Sequence, residues 1–296
     1  MPELAYVNGT FQPVHEARVP IEDRGFQFGH GVYEVIVSYD RRLFMPEEHM
    51  QRLRTSAKAA GVGYDFERKP LLPIVEEGIA RSGFADAMAY IQLTAGVAPR
   101  AHLCPPDLEP SIIMTFKPKP VLADELRRRG ARVLTVRDDR WSQCYIKAIT
   151  LLPNVLAKTE AVRRGFDDAV FVTETGEARE CTSANLFIVK DGHVRFPPRN
   201  QSVLHGITQR FILRCAESIG VPMEEAVISM DALRSADEVL MSSTIVEVLG
   251  ISAIDGAPVG TGKVGLVTEN LHEAFVAGVR GKLSASALAG GSSPSP

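Results

Sequence analysis

Strand-like and helix-like stretches follow one another along these 296 residues without regular alternation. That order argues for an α+β or irregular α/β fold over a doubly wound parallel sheet. The N-terminal part is rich in hairpins. AYVNGTFQPV sets two short strand-like pieces around Asn8-Gly9, a dipeptide that supplies the positive φ values of a tight turn. After a turn-rich DRG at 23–25, GVYEVIVSYDRRLFM alternates large apolar residues across a second hairpin. EEHMQRLRTSAKAAG then brings Met50, Leu53, Ala57 and Ala60 onto one helical face, with Gly61 placed to close the helix. A further helix, from about Pro73 to Arg81, precedes the strands AMAYIQLTAG and SIIMTFKP. The proline-spaced KPKP at 117–120 marks a boundary. The expectation is therefore a smaller domain over 1–118 and a larger one over 119–282 that contains Lys147. The small, polar, repetitive residues 283–296 are expected to be disordered.

In the second half, strands are expected near ARVLTV, along the stretch ending YIKAIT, and at DAVFVTE, SANLFIVKDGHV and EVLMSST. Helices are expected near PNVLAKTEAVRRG, GITQRFILRCAESIG and after Lys263. Composition narrows the function classes. At 45% hydrophobic residues and a net charge of -3 without a long single-sign run, neither nucleic acid nor an anionic membrane is an expected partner. Cys104, Cys144, Cys181 and Cys215 lie far apart with no C-x-x-C pair, so neither a metal site nor a disulfide framework is expected. The N-terminal stretch lacks a cationic and then apolar leader, and no apolar run approaches the ~18 residues of a membrane span. A cytoplasmic location is the expectation.

Lys147 stands alone among Tyr145, Ile146, Ala148 and Ile149, just ahead of a helix signal at Pro153. Apolar surroundings disfavour the charged form of a lysine, and a neutral amine attacks a carbonyl to form a Schiff base. A lysine in such a segment more often lays its stem on apolar neighbours and keeps its ammonium in water. GITQRFILRC opens a helix after Gly206, and the free amides of Gly206, Ile207 and Thr208 suit a phosphate, although Thr208 serves equally as a cap. In MSSTIVEV, Ser242, Ser243 and Thr244 offer hydroxyls to an anion or form a turn. Around the turn Thr175-Gly176 stand Glu174, Glu177 and Glu180; Glu180 lies past the turn among small residues, where a carboxylate with a cationic partner can be buried. An amine for a Schiff base, a phosphate-suited helix start and a carboxylate for a protonated ring nitrogen are together what pyridoxal phosphate requires.

The stretches DRGFQFGHGVYEV at 23–35, HMQRLRTSA at 49–57, APRAH at 98–102, IKAITLLPNVLAK at 146–158, ECTSANLF at 180–187, HGIT at 205–208 and MSSTIVEV at 241–248 carry a resemblance. The chain resembles the fold-type IV pyridoxal-phosphate enzymes, and within them the D-amino-acid aminotransferases. The resemblance implies a two-domain α+β architecture with the cofactor between the domains, and a homodimer. It implies Lys147 as the Schiff-base lysine that also moves the proton between Cα and the cofactor C4′. Glu180 is implied at the pyridine nitrogen, with Glu177 as the rival on sequence alone. Arg52, the amides of Gly206, Ile207 and Thr208, and the hydroxyl of Thr244 are implied at the phosphate; otherwise Arg52 would form an i, i+4 pair with Glu48. Tyr33, Arg100 and His102 match the group that holds the substrate α-carboxylate, the last two from the second subunit. Two positions depart from the pattern: His30 stands where many relatives are acidic, and Ala95 where several carry arginine. The implied reaction is ping-pong transamination between a D-amino acid and a 2-oxo acid, with D-alanine and 2-oxoglutarate the expected pair. The alternatives are a branched-chain aminotransferase, an aminodeoxychorismate lyase using the same lysine and cofactor, and a non-catalytic cofactor-binding regulator.

Overall fold

The computed structural model describes residues 3–281. The tail expected to be disordered, 283–296, lies outside them. The chain divides into two compact units, one of residues 1–120 with 144–151 and the other of 121–143 with the remainder. The fold is α+β.

The first unit opens with β1 (Leu4–Val7) and β2 (Thr10–Pro13), joined by Asn8 and Gly9, both at positive φ as the turn requires. DRG at 23–25, read as turn-rich, instead opens a short helix α1 (Arg24–Phe28). The buried Asp23 explains it: its carboxylate accepts from the Gly25 amide at the helix start and from the hydroxyls of Thr94 and Ser111. Next come β3 (Gly31–Tyr39), β4 (Arg42–Leu43), α2 (Pro46–Ala59), α3 (Leu72–Ser82), β5 (Ala87–Thr94) and β6 (Ser111–Pro118). They build one antiparallel sheet in the order β2-β1-β6-β5-β3-β4. Leu53 and Ala57 of α2 and Val75 and Ile79 of α3 pack on its apolar residues Val32, Ile36, Ile91, Met114 and Phe116. Ala95, the departure noted above, is buried in the same cluster. Gly78 lets α3 lie against the Phe116 ring, which a Cβ there would strike.

The stretch ending in YIKAIT forms no strand of its own, contrary to expectation. Instead its end pairs briefly with the start of β3: the Tyr33 amide donates to the Lys147 carbonyl at 2.9 Å and the Ile149 amide to the Gly31 carbonyl at 3.1 Å. Those bonds, with Ile146 buried in the first unit's core, explain why 144–151 clusters with the first unit. Lys147 therefore does not belong to the compact unit formed by most of the second half, where the sequence reading put it.

The second unit contains α4 (Asp124–Arg129), β7 (Ala131–Arg137), α5 (Leu152–Arg163), β8 (Asp168–Val172), β9 (Glu177–Cys181), β10 (Asn185–Lys190) and β11 (His193–Phe196). It continues through α6 (Ile207–Ser218), β12 (Met223–Glu225), β13 (Ile228–Ser229), α7 (Met230–Arg234), β14 (Glu238–Ser243), β15 (Glu247–Ile254), β16 (Ala257–Pro258) and α8 (Leu266–Val279). The strands run β12-β11-β10-β14-β15-β7-β8-β9-β13, with parallel pairs at β11–β12, β15–β7 and β7–β8. One further pairing, Asn185 with Glu180, returns β9 to β10, so the six strands from β10 round to β9 close into a ring. Val170, Leu186, Ile188, Val239, Met241, Leu249 and Ile251 form the apolar cluster of this unit.

Candidate active site

In the first unit, the pairing of 146–149 with β3 brings Lys147 to Tyr33. The Lys147 Nζ lies 4.3 Å from the centroid of the Tyr33 ring, which stacks on Tyr90 at 5.6 Å. The Lys147 amide donates to the Ser56 hydroxyl at 3.1 Å, so α2 fixes the backbone of the lysine. One turn earlier on α2, Arg52 meets Glu34 of β3 with a forked pair of bonds, Nε to Oε2 at 2.9 Å and Nη2 to Oε1 at 2.7 Å. Glu34 is fully buried, and its Oε1 also accepts from the Val35 amide at 2.8 Å. His49 is equally buried; its Nδ1 lies 3.1 Å from Glu34 Oε1 but off hydrogen-bond angle, and its Nε2 has no partner. The sequence reading missed both Glu34 and His49. The signal was a charged residue on the inward face of an apolar strand, where Val32, Glu34 and Ile36 alternate.

Burial alone would raise the Glu34 carboxyl, yet the Arg52 guanidinium and His49 hold it well below the usual carboxylate range. Burial lowers the His49 pKa, and the neighbouring Glu34 only partly offsets that. Both groups bind protons more readily unfolded than folded, so both contribute stability that is lost on acidification. The fold is expected to weaken as pH falls below 6.5, the ordinary value of His49, and further below 4.5, the ordinary value of Glu34. Each linked proton adds up to about 1.4 kcal/mol per pH unit. Urea melts between pH 8 and 4 check this. His49→Gln should flatten the slope just below 6.5, and an unchanged slope would remove His49 as its source.

Arg100 and His102, also in the first unit, flank the Phe28 ring, with the Arg100 guanidinium 4.5 Å from its centroid and the His102 ring edge-on at 5.8 Å. Arg100 further donates to the Gln27 carbonyl at 3.2 Å. Arginine, histidine and tyrosine are the residue types that meet a carboxylate with charge-assisted bonds.

In the second unit, Glu180 is 6% exposed and receives Arg140 Nη1 on Oε1 at 2.5 Å, while the Leu204 amide donates to Oε2 at 3.1 Å. Asp138 in turn grips the other side of Arg140, from Nε and Nη2, both at 2.9 Å. Burial pushes the Glu180 carboxyl up, and Arg140 with the Leu204 amide pulls against it. Glu177 is more exposed and pairs with Arg179 on the same strand. Of the two, Glu180 has the buried, cation-paired setting that suits a partner for a protonated ring nitrogen. Glu180→Gln is accordingly expected to slow turnover by about 10²-fold or more, the loss typical of a proton-holding group, with Glu177→Gln near wild type. Steady-state rates of the two variants decide between them, and the opposite ranking would move the assignment to Glu177.

Gly206, Ile207 and Thr208 stand at the first turn of α6, as the sequence indicated. Gly206 is required for a reason the sequence did not give: a Cβ there would strike the side-chain oxygen of Asn185, whose amide nitrogen donates to the Leu204 carbonyl at 2.8 Å. The Thr208 hydroxyl is buried and has no hydrogen-bond partner among the described residues, which argues against a simple cap. Thr244 sits in the turn after β14, where Ser243 accepts from the Ile245 and Val246 amides. Within the second unit, a buried carboxylate paired with a cation suits the ring nitrogen of pyridoxal phosphate and the start of α6 suits its phosphate; within the first, Lys147 offers a primary amine.

The chain is 39% identical over 272 residues to a D-alanine aminotransferase of Staphylococcus haemolyticus, covering 91% of this chain and 95% of that one. A D-alanine aminotransferase of Listeria monocytogenes is 37% identical over 273 residues, covering 91% and 94%. Among solved structures, the branched-chain amino acid aminotransferase of the archaeon Thermoproteus uzoniensis with norvaline superposes with a TM-score of 0.83 at 28% identity, covering 94% of this chain and 95% of that one. The branched-chain enzyme of Escherichia coli gives 0.84 at 27% identity, covering 94% of both. The family model described as amino-transferase class IV matches residues 31–254, and the chain belongs to that family, the fold-type IV aminotransferases.

Proposed function

We propose that this chain transfers an amino group between a D-amino acid such as D-alanine and a 2-oxo acid such as 2-oxoglutarate, using pyridoxal phosphate. Bound, the cofactor supplies a carbonyl for an amine and a ring that takes up the electron pair left at Cα. Lys147 provides the amine that holds the cofactor. The same amine, when free, would take the proton from the substrate Cα and return it at C4′. The bond from its amide to Ser56 and the packing on Tyr33 set where that amine stands. Glu180 holds a proton at the ring nitrogen, and Arg140 keeps Glu180 oriented and favours its charged form against the burial that raises its pKa. Arg52, braced by Glu34, binds the phosphate with the amides of Gly206, Ile207 and Thr208 and the hydroxyl of Thr244.

Arg100, His102 and Tyr33 take the α-carboxylate, the partner's Arg100 and His102 serving this site in a homodimer. A second copy would also cover the apolar residues left exposed beside that loop, Ile21, Phe26 and Leu103, and those on one side of α5, Leu152, Val155, Leu156 and Val162. Four cysteines set far apart in the sequence, with no C-x-x-C pair, suit a reducing cytoplasm. None of the described helices is long and apolar enough to cross a membrane.

The observation that carries the D-specific reading is the placing of Arg100 and His102 together around one aromatic ring. The branched-chain reading draws support from the solved structures that superpose so closely. A half-reaction screen separates them: the holoenzyme is mixed with single D- and L-amino acids and the cofactor absorbance followed. D-alanine is expected to convert it, and L-leucine is not. Conversion by L-leucine or L-valine in preference to D-alanine would overturn the D-specific reading, and no conversion by any amino acid would favour a non-catalytic regulator.

A further inference from the structure

Arg24 belongs to a segment that reads as a surface turn, yet it is only 2% exposed. A buried guanidinium is tolerated only where its N–H donors are met. Nη1 donates to the Ala101 carbonyl at 2.8 Å and Nη2 to the His102 carbonyl at 3.1 Å. Nε points to Nδ1 of His30 at 3.4 Å. An accepting Nδ1 places the His30 proton on Nε2, which then donates to the Ala60 carbonyl at 2.9 Å. His30, one of the two departures from the family pattern, is thus the neutral neighbour of a buried cation. Among the described residues, no carboxylate pairs with Arg24.

The two carbonyls are consecutive, one on the peptide between Ala101 and His102 and the other on the peptide between His102 and Leu103, so fixing both sets the backbone on each side of His102. Arg100 is joined to the first of these peptides through Ala101. Phe28, on the same short helix as Arg24, completes the arrangement: the Arg24 guanidinium lies 4.9 Å from its centroid, on a ring that Arg100 and His102 also touch. A strut from α1, reaching 77 residues along the chain, therefore sets the loop from behind.

We propose that Arg24 is a positioning residue for substrate recognition, whose fork holds the 100–102 loop so that Arg100 and His102 present their donors to the α-carboxylate. This rests on the reading of Arg100 and His102 as the carboxylate-binding pair. The role needs an arginine, because its planar fork spans two adjacent carbonyls, whereas a lysine is a point donor. The Arg24 charge, unbalanced by any carboxylate, also adds to the field that draws an anionic substrate to the loop.

The test is saturation kinetics of the holoenzyme with D-alanine for Arg24→Met, Arg24→Lys, Phe28→Leu, Arg100→Ala and the double variant Arg24→Met/Arg100→Ala. Misplacing donors by about 1 Å costs on the order of 10- to 100-fold. Arg24→Met is expected to raise KM by that factor with kcat and cofactor absorbance little changed. Arg24→Lys is expected to recover part of the loss, and Phe28→Leu to raise KM in the same direction. In the Arg100→Ala background Arg24→Met should add little, since it acts through a residue already gone. If Arg24→Met does not fold, Arg24→Lys and Phe28→Leu carry the KM test. A normal KM in the folded Arg24 variants, with Arg100→Ala impaired, overturns the positioning role and leaves the carboxylate-binding reading standing. A normal KM in Arg100→Ala overturns that reading and this role with it. Loss of kcat and cofactor absorbance together in the Arg24 variants would mark a merely structural residue and overturns the proposal.

Discussion

Replacing Lys147 with alanine is expected to lower turnover by more than about 10⁴-fold, because in the proposed reading one amine supplies both the covalent hold on the cofactor and the proton shuttle at Cα. Few other single changes remove two functions at once. The variant should still fold, since the bonds that pin this segment to β3 and α2 run through backbone atoms, namely the Lys147 carbonyl with the Tyr33 amide and the Lys147 amide with the Ser56 hydroxyl. The measurement is borohydride reduction of cofactor-loaded protein followed by peptide mass mapping. Wild type should carry its adduct at Lys147 and the variant none. An adduct at a different lysine in the variant, with activity retained, would sink the assignment.

Arg100→Ala is the second large effect. A charge-assisted contact to a carboxylate in a desolvated site typically costs about 2 to 5 kcal/mol to remove, or on the order of 10²-fold or more. The loss should appear in KM for D-alanine, while titration of the cofactor into the apo-protein should give an affinity near wild type. Cofactor binding falling in parallel would reassign Arg100 to the cofactor. The handedness argument shares this residue. If the proton moves on one fixed face of the cofactor, the side on which the α-carboxylate is gripped decides between D and L substrates.

The parts of this molecule legible in the sequence are those written in local pattern. Asn8-Gly9 gave the first hairpin, Pro73 and Gly206 the starts of helices, and the isolated lysine its candidate chemistry. Glu180 could be preferred to Glu177 from its small neighbours, but the reason for its burial is Arg140, 40 residues away, and no spacing rule links such a pair. Arg24 was hidden in the same way, since its partners lie on a distant loop and its own segment reads as a turn. The segment 144–151 misled for a complementary reason. It has the apolar content of a strand, but among the described residues its strand-like pairing is confined to the first part of β3, and so short a pairing leaves most of its backbone irregular. Glu34 alone among the missed residues left a readable trace, a carboxylate where the strand period calls for an apolar side chain.

The ring in the second unit closes at Glu180 itself, where it pairs with Asn185. In an open sheet an edge strand can slide by a residue without disturbing the far edge, although every side chain on it then turns to the opposite face. In a closed circuit no strand can slide alone, because each register is shared with the next until the series returns to its start. An error of one residue anywhere between β10 and β9 would have to be absorbed at the seam, at the carboxylate. The topology thus makes the position of one charge a property that all six strands must agree on. Substitutions that loosen β7 or β15, remote in sequence from Glu180, should disturb the cofactor's ring end before they unfold the unit.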